Sequence, residues 1–209
     1  MPITSPGIDE AAERSELVRT ALVIAREAHA DQTRNASGGR PYIDHPVAVA
    51  ERLAELGLRD EVLAAALLHD VVEDSDVEVA DIRAECGEEV AEIVAAMTDD
   101  ESIESYEARK GEHRGRIEAA GDEAKAIYAS DKLTNVEMLR DGYEQQAEAV
   151  GDELKVSLDV KIRVWEDDLE MLERRGAGSE ELRSLTSRLR DQLDSLSRDR
   201  AAAAAGPSA

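Results

Sequence analysis

The run Val62–Leu68, seven apolar residues in succession, leads directly into His69 and Asp70. A helix that is apolar on every side must be buried, so this run predicts a helix in the centre of the core. Glu73 and Asp74 follow four residues later, each one helical turn beyond its predecessor. Because buried ionisable groups need partners, this crowded helix end predicts a bound cation, most naturally a divalent metal ion. The alternative is a solvated helix end, although acidic residues there oppose the helix dipole.

The composition favours helices over strands. Hydrophobic residues make up 42% of the 209 residues, but aromatic residues only 2%, and phenylalanine is absent. The core must therefore consist of alanine, leucine, valine and isoleucine, a mixture that supports closely packed helices better than a sheet. The length suits one domain with a complete core. We therefore predict an all-α fold.

The charge balance excludes one class of partner. The chain carries 25 lysine and arginine residues against 48 aspartate and glutamate residues, a formal net charge of −23. A field of that sign repels nucleic acid and polyphosphates alike. We therefore expect no nucleic-acid binding, and an anionic substrate must be captured by local cations.

The sequence predicts no membrane partner and a cytoplasmic location. The longest apolar run is far shorter than the about 18 residues of a membrane-spanning helix. The N-terminus, acidic from Asp9 onward, does not resemble a signal peptide. The single cysteine, Cys86, permits no internal disulfide, which fits a reducing compartment.

Two further segments can complete a metal site. His45 immediately precedes Pro46, and proline can open a helix at its first position while holding the backbone stiff. Downstream, Asp131 and Asn135 lie one helical turn apart. Each residue taken alone is more often an ordinary packed or solvated side chain. The joint pattern of a histidine, a His-Asp pair and a distant aspartate is much more specific.

These residues resemble the metal ligands of the HD-domain phosphohydrolase superfamily, and their neighbours resemble its RelA/SpoT-type alarmone hydrolase branch. The matching stretches are, in family order, 28–34, 41–46, 65–74, 94–100 and 130–135. The element Thr98–Asp100, together with a chain that ends soon after the last motif, most resembles the stand-alone hydrolases of the metazoan SpoT homologue type. The resemblance implies a helical bundle of about eight to ten helices with a metal site in its centre.

The resemblance also assigns roles. The implied metal ligands are His45, His69, Asp70 and Asp131. Such a mixed set of nitrogen and oxygen ligands suits Mn²⁺, Fe²⁺ or Zn²⁺, and the family likeness favours one Mn²⁺ ion. Glu73 and Asp74 correspond to the pair around the attacking water, with Glu73 as the expected general base.

The implied reaction is hydrolysis of the 3′-pyrophosphate of guanosine tetra- or pentaphosphate, which releases pyrophosphate and GDP or GTP. Three alternatives remain open at this point. The chain could remove the 2′-phosphate of NADPH, or act as an HD-type phosphohydrolase on another nucleotide. It could also be a non-catalytic module that binds nucleotides, although all six metal and catalytic residues are present.

Candidate substrate contacts follow from the same motifs. Arg34 and Lys132 match family positions and could bind phosphate, whereas Arg40, Arg109 and Lys110 are candidates only because they lie near motifs. Tyr42 offers a ring with a polar tip, and the amide of Asn135 can donate and accept, so both suit a purine or a ribose. Two positions depart from the family pattern, with Asn35 where lysine is common and Thr134 where histidine or tyrosine is commoner. These departures affect the expected substrate preference.

The remaining pattern predicts one domain over residues 9–175 with a C-terminal appendage. Within it we expect a first helix over about 10–30, helices over about 122–140 and 144–174, and a charged segment at 101–120 that is either a solvated, mobile helix or a lid. Residues 179–200 form a predicted amphipathic helix whose leucines follow a seam pattern. This helix could dock on the domain or pair two subunits into a homo-oligomer. Residues 201–209 are low in complexity and predicted to be disordered.

Overall fold

The computed structural model describes residues 6–34, 39–145, 156–174 and 178–205, and these residues confirm the all-α prediction. They form ten helices of eight residues or more and one single helical turn, the segment α5. The helices are α1 (Pro6–Arg14), α2 (Glu16–Ala28), α3 (Asp44–Glu55), α4 (Asp60–Leu68), α5 (Val71–Asp74), α6 (Val79–Cys86), α7 (Glu88–Met97), α8 (Tyr106–Ala119), α9 (Asp122–Gln145), α10 (Leu158–Arg174) and α11 (Glu180–Ala205). Two short strands, β1 (Thr33–Arg34) and β2 (Arg40–Pro41), pair antiparallel.

Helix α4 is the centre of the core, as its sequence predicts. Every residue of Val62–Leu68 is 0% exposed. Helices α2, α3, α7 and α9 all pack against α4. The end of α4 therefore lies inside the bundle, where its polar residues need partners within the protein.

The predicted first helix is wrong in one respect, because it is divided. Ser15 lies between α1 and α2 in an extended conformation, and its hydroxyl accepts a hydrogen bond from the backbone N–H of Val18. Serine at this position is a strong helix N-cap. The two helices pack against each other.

The predicted boundaries near the C-terminus also need correction. Helix α9 continues beyond residue 140 to Gln145, and α10 begins only at Leu158, so a continuous helix over 144–174 is wrong. The carbonyl of Ser157 accepts the first hydrogen bonds of α10, as expected of an N-cap residue. Helix α11 extends through 201–205, a run of alanines, because alanine has the highest helix propensity. Residues 1–5, 35–38, 146–155, 175–177 and 206–209 lie outside the described part, and with them Asn35 and the last part of the tail.

Helix α11 docks within the chain, on α9. The leucines of its seam are all buried, with exposed fractions of 4% or less, at Leu182, Leu185, Leu189, Leu193 and Leu196. At the edge of this contact Arg140 donates hydrogen bonds to Asp199 and Gln192. Pairing of two subunits through these leucines would require α11 to leave α9. Because α9 also carries Asp131, the C-terminal helix supports an element of the candidate site.

Helix α8 is anchored, in contrast to the solvated helix expected from its sequence. His113 and Ile117 on this helix are buried. Arg114 donates a hydrogen bond of 2.6 Å to Asp168 on α10, whose side chain is 0% exposed. Some charged side chains of α8 therefore form ion pairs with buried carboxylates, and the sequence pattern does not reveal these pairs.

No helix within the described residues is both long enough and apolar enough to span a membrane.

Leu189→Ala is expected to lower the free energy of unfolding by about 2–5 kcal/mol, because it removes a fully buried side chain from the contact of α11 with α9. Urea unfolding of the metal-free protein measures this change. Val23→Ala, at a side chain that is 46% exposed, is the control and should change the free energy by less than about 0.5 kcal/mol. Equal effects of the two substitutions would show that α11 does not dock as described.

Candidate metal centre

Four elements of the bundle bring the predicted ligands together. His45 is the second residue of α3, and its backbone N–H bonds to the carbonyl of Tyr42 in the preceding turn. His69 ends α4, and Asp70 precedes the single turn α5. Asp131 lies in the middle of α9. The apolar residues of α4 therefore carry two ligands into the core, and α3 and α9 supply the others.

The side chains of these residues converge. The Nε2 atom of His45 lies 3.0 Å from Oδ1 of Asp131 and 3.6 Å from Oδ2 of Asp70. The Nε2 atom of His69 lies 3.1 Å from Oδ1 of Asp70 and 3.8 Å from Oδ1 of Asp131. Ligand atoms of His45, His69 and Asp131 all lie within 4.8 Å of one another. One ion could therefore contact donor atoms of all four residues.

Neighbouring groups orient these ligands. The Nδ1 atom of His69 lies 2.8 Å from the carbonyl oxygen of Ala66, which leaves its Nε2 atom facing the carboxylates. The hydroxyl of Tyr42 donates to Oδ2 of Asp70 at 2.9 Å. Such outer contacts fix the direction and the tautomer of metal ligands.

Asp131 is held by two donors from its own helix. The amide of Asn135 donates to Oδ1 of Asp131 at 2.6 Å, and the ammonium of Lys132 donates to Oδ2 at 2.8 Å. Lys132 is 6% exposed and lies 4.3 Å from the ring centroid of Tyr128. The structure thus commits Lys132 to the ligand carboxylate and to the ring rather than to an open phosphate position.

The donor set fits a divalent metal ion. Neither Nε2 atom, of His45 or of His69, has a well-directed hydrogen bond, although both are buried. Burial and the charge of Arg34 lower the pKa of His45 to about 4, so its imidazole is neutral, the form that binds metals. Burial alone would lower the pKa of His69, but Asp70 and Asp131 outweigh it and raise this pKa to about 9. A proton on His69 thus supplies positive charge to the carboxylates in the metal-free protein, and a divalent cation would supply it in the metal-bound protein.

The predicted catalytic pair lies at the next turn. Burial, together with the negative charge of Asp70, raises the pKa of Glu73 to about 7. Its Oε1 atom accepts a hydrogen bond of 2.6 Å from the backbone N–H of Asp99. Asp74 is exposed, and its carbonyl accepts a hydrogen bond from Gln32. A carboxylate with a pKa near neutrality can exchange a proton with water, which suits Glu73 to the role of a base.

The predicted substrate contacts Arg34, Tyr42 and Asn135 lie on one side of this centre. Arg34 donates to Oδ1 of Asn135 at 3.1 Å, and its guanidinium carbon lies 5.0 Å from the ring centroid of Tyr42. Tyr42 in turn stacks on His29 with ring centroids 4.6 Å apart. Arg40 is exposed on β2, opposite Arg34 in the strand pair. A guanidinium, an aromatic ring and an amide therefore lie side by side.

Sequence reasoning missed Lys161 on α10. Burial and the positive charges of Arg34, Lys110 and Lys132 lower the pKa of Lys161, so these cations from four elements lie within electrostatic reach of one another. Mutually repelling cations in an acidic chain indicate a site for an anion. No signal in the sequence pointed to Lys161, because it lies far from the motifs and within an ordinary amphipathic helix.

Sequence reasoning also missed the surroundings of Asp99. Its side chain is 6% exposed, and Lys110 donates to its Oδ2 atom at 2.5 Å. Arg109 donates to the same atom at 3.2 Å, and Nδ1 of His113 lies 2.8 Å from Oδ1. Burial alone would raise the pKa of Asp99, but His113 and Lys110 outweigh burial and hold it well below its usual range. Arg109 and Lys110, which the sequence offered as phosphate contacts, are paired with this carboxylate.

An all-α bundle with two histidines and two aspartates converging at its centre defines a class of metal-dependent hydrolases. The model of the HD domain family matches residues 21–155, and the chain belongs to that family.

Two relatives are named as guanosine-3′,5′-bis(diphosphate) 3′-pyrophosphohydrolases. A guanosine-3′,5′-bis(diphosphate) 3′-pyrophosphohydrolase of Aquifex aeolicus is 34% identical over 158 residues, which cover 73% of this chain and 22% of that protein. The enzyme of the same name from Danio rerio is 39% identical over 118 residues, 54% of this chain and 63% of that protein. This chain therefore matches about a fifth of the length of the bacterial relative.

Two solved structures are similar in fold. A metazoan orthologue of SpoT, described as hydrolysing ppGpp, has a TM-score of 0.64 and 25% identity, with 96% of this chain and 98% of that chain covered. A protein from Listeria monocytogenes has a TM-score of 0.66 and 30% identity, with 73% and 97% covered.

Asp99→Asn is expected to lower the free energy of unfolding of the metal-free protein at pH 7 by about 3 kcal/mol, because it leaves the partly buried cations Arg109 and Lys110 without their counter-charge. Since the folded pKa of Asp99 is depressed, its stabilisation is present above the ordinary pKa of about 4 and is lost as pH falls. The difference from wild type should therefore shrink between pH 7 and pH 3 in urea unfolding with a chelator. Asp100→Asn, at an exposed carboxylate, is the control and should have a smaller effect. A difference that grows on acidification would contradict the assignment.

Proposed function

We propose that this protein hydrolyses the 3′-pyrophosphate of guanosine tetra- or pentaphosphate to pyrophosphate and GDP or GTP. The observation that carries the proposal is the convergence of two imidazoles and two carboxylates beside Glu73, whose pKa is about 7. The names of the relatives support the substrate class. The anion site beside Tyr42 offers positive charge and a ring, as a guanosine polyphosphate requires.

We assign the metal site to His45, His69, Asp70 and Asp131, and the ion to Mn²⁺. Mixed imidazole and carboxylate ligands suit Mn²⁺ as well as Fe²⁺ and Zn²⁺. When bound, such an ion polarises a phosphate oxygen and lowers the pKa of a water molecule. The residues of the chain supply the remaining functions.

Glu73 is the general base in this proposal, and Asp74 helps to position the water. The water oxygen forms a bond to the phosphorus attached to the ribose 3′-oxygen, while a proton passes from the water to Glu73. The bond between that phosphorus and the 3′-oxygen breaks, and the oxygen leaves as the ribose 3′-hydroxyl by taking up the proton that Glu73 received, which returns Glu73 to its ionised form. The pKa of Glu73 near neutrality allows it to be ionised before this step.

Substrate binding is assigned to residues on one side of the centre. Arg34 and Lys161 would contact phosphate, and Tyr42 and Asn135 would contact the guanine or the ribose. Lys132 would not contact the substrate. Its ammonium lies 2.8 Å from Oδ2 of Asp131 and would hold this proposed metal ligand in place. This local positive charge offsets the overall charge of −23, which otherwise repels a polyphosphate.

The wider organisation is proposed from the same observations. Residues 9–175 would form the hydrolase domain, with α11 as a docked support. We propose a cytoplasmic enzyme without nucleic-acid or membrane partners. A homo-oligomer through α11 would compete with the docking of its leucines on α9.

Other substrates remain as alternatives to the alarmone. Asn35 stands where lysine is common in the family, which favours an HD-type phosphohydrolase of a nucleotide unrelated to the alarmones. Removal of the 2′-phosphate of NADPH is a separate alternative. A purely binding role is disfavoured because the ligand set and Glu73 are complete.

The test is hydrolysis of guanosine tetraphosphate by purified protein with Mn²⁺, run beside NADPH and simple nucleotides. Release of pyrophosphate that a chelator abolishes supports the proposal. Phosphate release from NADPH alone would keep the metal site and replace the substrate. Inactivity on every substrate would overturn the proposed activity.

Asp70→Ala and Glu73→Gln are expected to separate metal binding from catalysis. Asp70→Ala removes a ligand and should lose metal and activity together. Glu73→Gln should keep the metal but lower kcat by about 100- to 10,000-fold, because it removes the base. Metal content by elemental analysis and kcat by pyrophosphate release measure the two effects. Normal hydrolysis by both variants would show that the site is misassigned.

Arg34→Gln is expected to raise KM by about 10- to 100-fold, because it removes a charged hydrogen-bond donor from the phosphate. Steady-state kinetics with guanosine tetraphosphate measure KM. Arg26→Gln, at an exposed arginine on α2, is the matched control and should leave KM unchanged. An unchanged KM in Arg34→Gln would remove this residue from the binding site.

A further inference from the structure

The Asp99 cluster consists of Asp99 and the three side chains of α8 that meet its carboxylate: Arg109, Lys110 and His113. These three residues lie at helical spacing, so one face of α8 presents all of them to a single acceptor. Lys110 and Arg109 donate to Oδ2 of Asp99, Nδ1 of His113 lies 2.8 Å from Oδ1, and the side chain of Asp99 is 6% exposed. The cluster fixes α8 against the loop that follows α7.

The backbone of the same residue contacts the proposed base. The N–H of Asp99 donates to Oε1 of Glu73 at 2.6 Å, a short hydrogen bond of the charge-assisted kind. The residue before it is also fixed, since the hydroxyl of Thr98 donates to the carbonyl of Val94 and the carbonyl of Thr98 accepts from Arg116. The side chain of Asp99 therefore binds α8 while its amide binds Glu73.

A purely structural role explains the cluster poorly. Buried ion pairs contribute little net stability compared with apolar side chains of similar size, because desolvation offsets the attraction. An apolar contact could fasten α8 to the loop equally well. The hydrogen bond from the Asp99 amide to Glu73 connects the cluster directly to the reaction centre.

We propose that Asp99 is a positioning residue, which uses its contacts with α8 to hold its own amide against the carboxylate of Glu73. This inference rests on the proposed function, in which Glu73 is the base. The hydrogen bond fixes one oxygen of Glu73, so that the other oxygen is left to receive the proton from water. Loss of the Asp99 charge frees Lys110 and Arg109, releases the loop and lets the Glu73 carboxylate rotate.

The experiment compares kcat, at saturating guanosine tetraphosphate and Mn²⁺, for wild type, Asp99→Asn, Glu73→Gln and the double variant. Asp99→Asn is expected to lower kcat by about 10- to 100-fold with little change in KM, the loss expected from a misplaced catalytic group. In the Glu73→Gln background the same substitution should have no further effect, because the base on which it acts is gone. Asp100→Asn is the matched control. It changes the adjacent carboxylate, which is exposed and accepts hydrogen bonds from Ser102, and should keep wild-type kcat.

A second measurement does not depend on activity. Hydrogen exchange of the amide of residue 99 in the metal-free protein should be faster in Asp99→Asn and in Glu73→Gln than in wild type or Asp100→Asn. If Asp99→Asn fails to fold, Lys110→Met takes its place in both measurements. A lowered kcat with unchanged KM then supports the proposal, whereas a raised KM alone would make Lys110 a substrate contact and overturn it.

The outcomes separate this inference from the proposed function. Wild-type hydrolysis that Glu73→Gln abolishes, together with normal kcat in Asp99→Asn, overturns the inference and leaves the function in place. A loss that multiplies fully in the double variant also overturns it, because Asp99 would then act independently of Glu73. Absence of hydrolysis by wild type overturns the function itself, and the exchange measurement then decides whether Asp99 holds Glu73.

Discussion

The structure depends on the burial of Asp131 among two imidazoles and an ammonium. A carboxylate with 6% exposure is tolerated inside a helical core only where positive charge and donors surround it. His45 and His69 approach it from two helices, and Lys132 holds its second oxygen. These contacts therefore hold α3, α4 and α9 against one another at the candidate metal centre, which the apolar core surrounds.

Other largely buried carboxylates are also paired with cations. The chain is strongly acidic, yet the largely buried side chains of Asp99, Asp131 and Asp168 each contact a cation. Asp99 binds Lys110 and Arg109, and Asp168 binds Arg114, so helix α8 is held at two places. Arg34 lies beside the centre, bonded to Asn135, and lies within electrostatic reach of Lys161, and these two cations are the proposed contacts of a polyphosphate. Local pairing therefore determines where an anion can bind, against the field of the whole chain.

The sequence allowed the helical class to be predicted, for physical reasons that can be named. The run Val62–Leu68 has no polar face, so its burial follows from composition alone. His45 and Asp131 were joined to His69 by the joint pattern of ligand-type residues and by the family resemblance, since no local periodicity connects residues so far apart. The convergence of their side chains in the structure is consistent with that assignment, while their roles remain predictions.

Other features could not be predicted, because they depend on contacts between distant elements. The division of the first helix follows from a single N-cap at Ser15, which a helical pattern on both sides conceals. Helix α8 looks solvated in sequence, since pairing with Asp99 and Asp168 is visible only in three dimensions. The nearness of Lys161 to Arg34, Lys110 and Lys132 is likewise visible only in three dimensions. The docked position of α11 could not be chosen from its leucine seam, which suits an intramolecular and an intermolecular contact equally.

The most direct test of the account is an anomalous difference map from crystals of the protein grown with Mn²⁺. We predict one strong peak within ligand distance of Nε2 of His45 and of His69 and of a carboxylate oxygen of Asp131. Asp70 should provide a further ligand to the same ion. A map with manganese bound elsewhere, and no peak between these side chains, would contradict the central claim that they form a metal site.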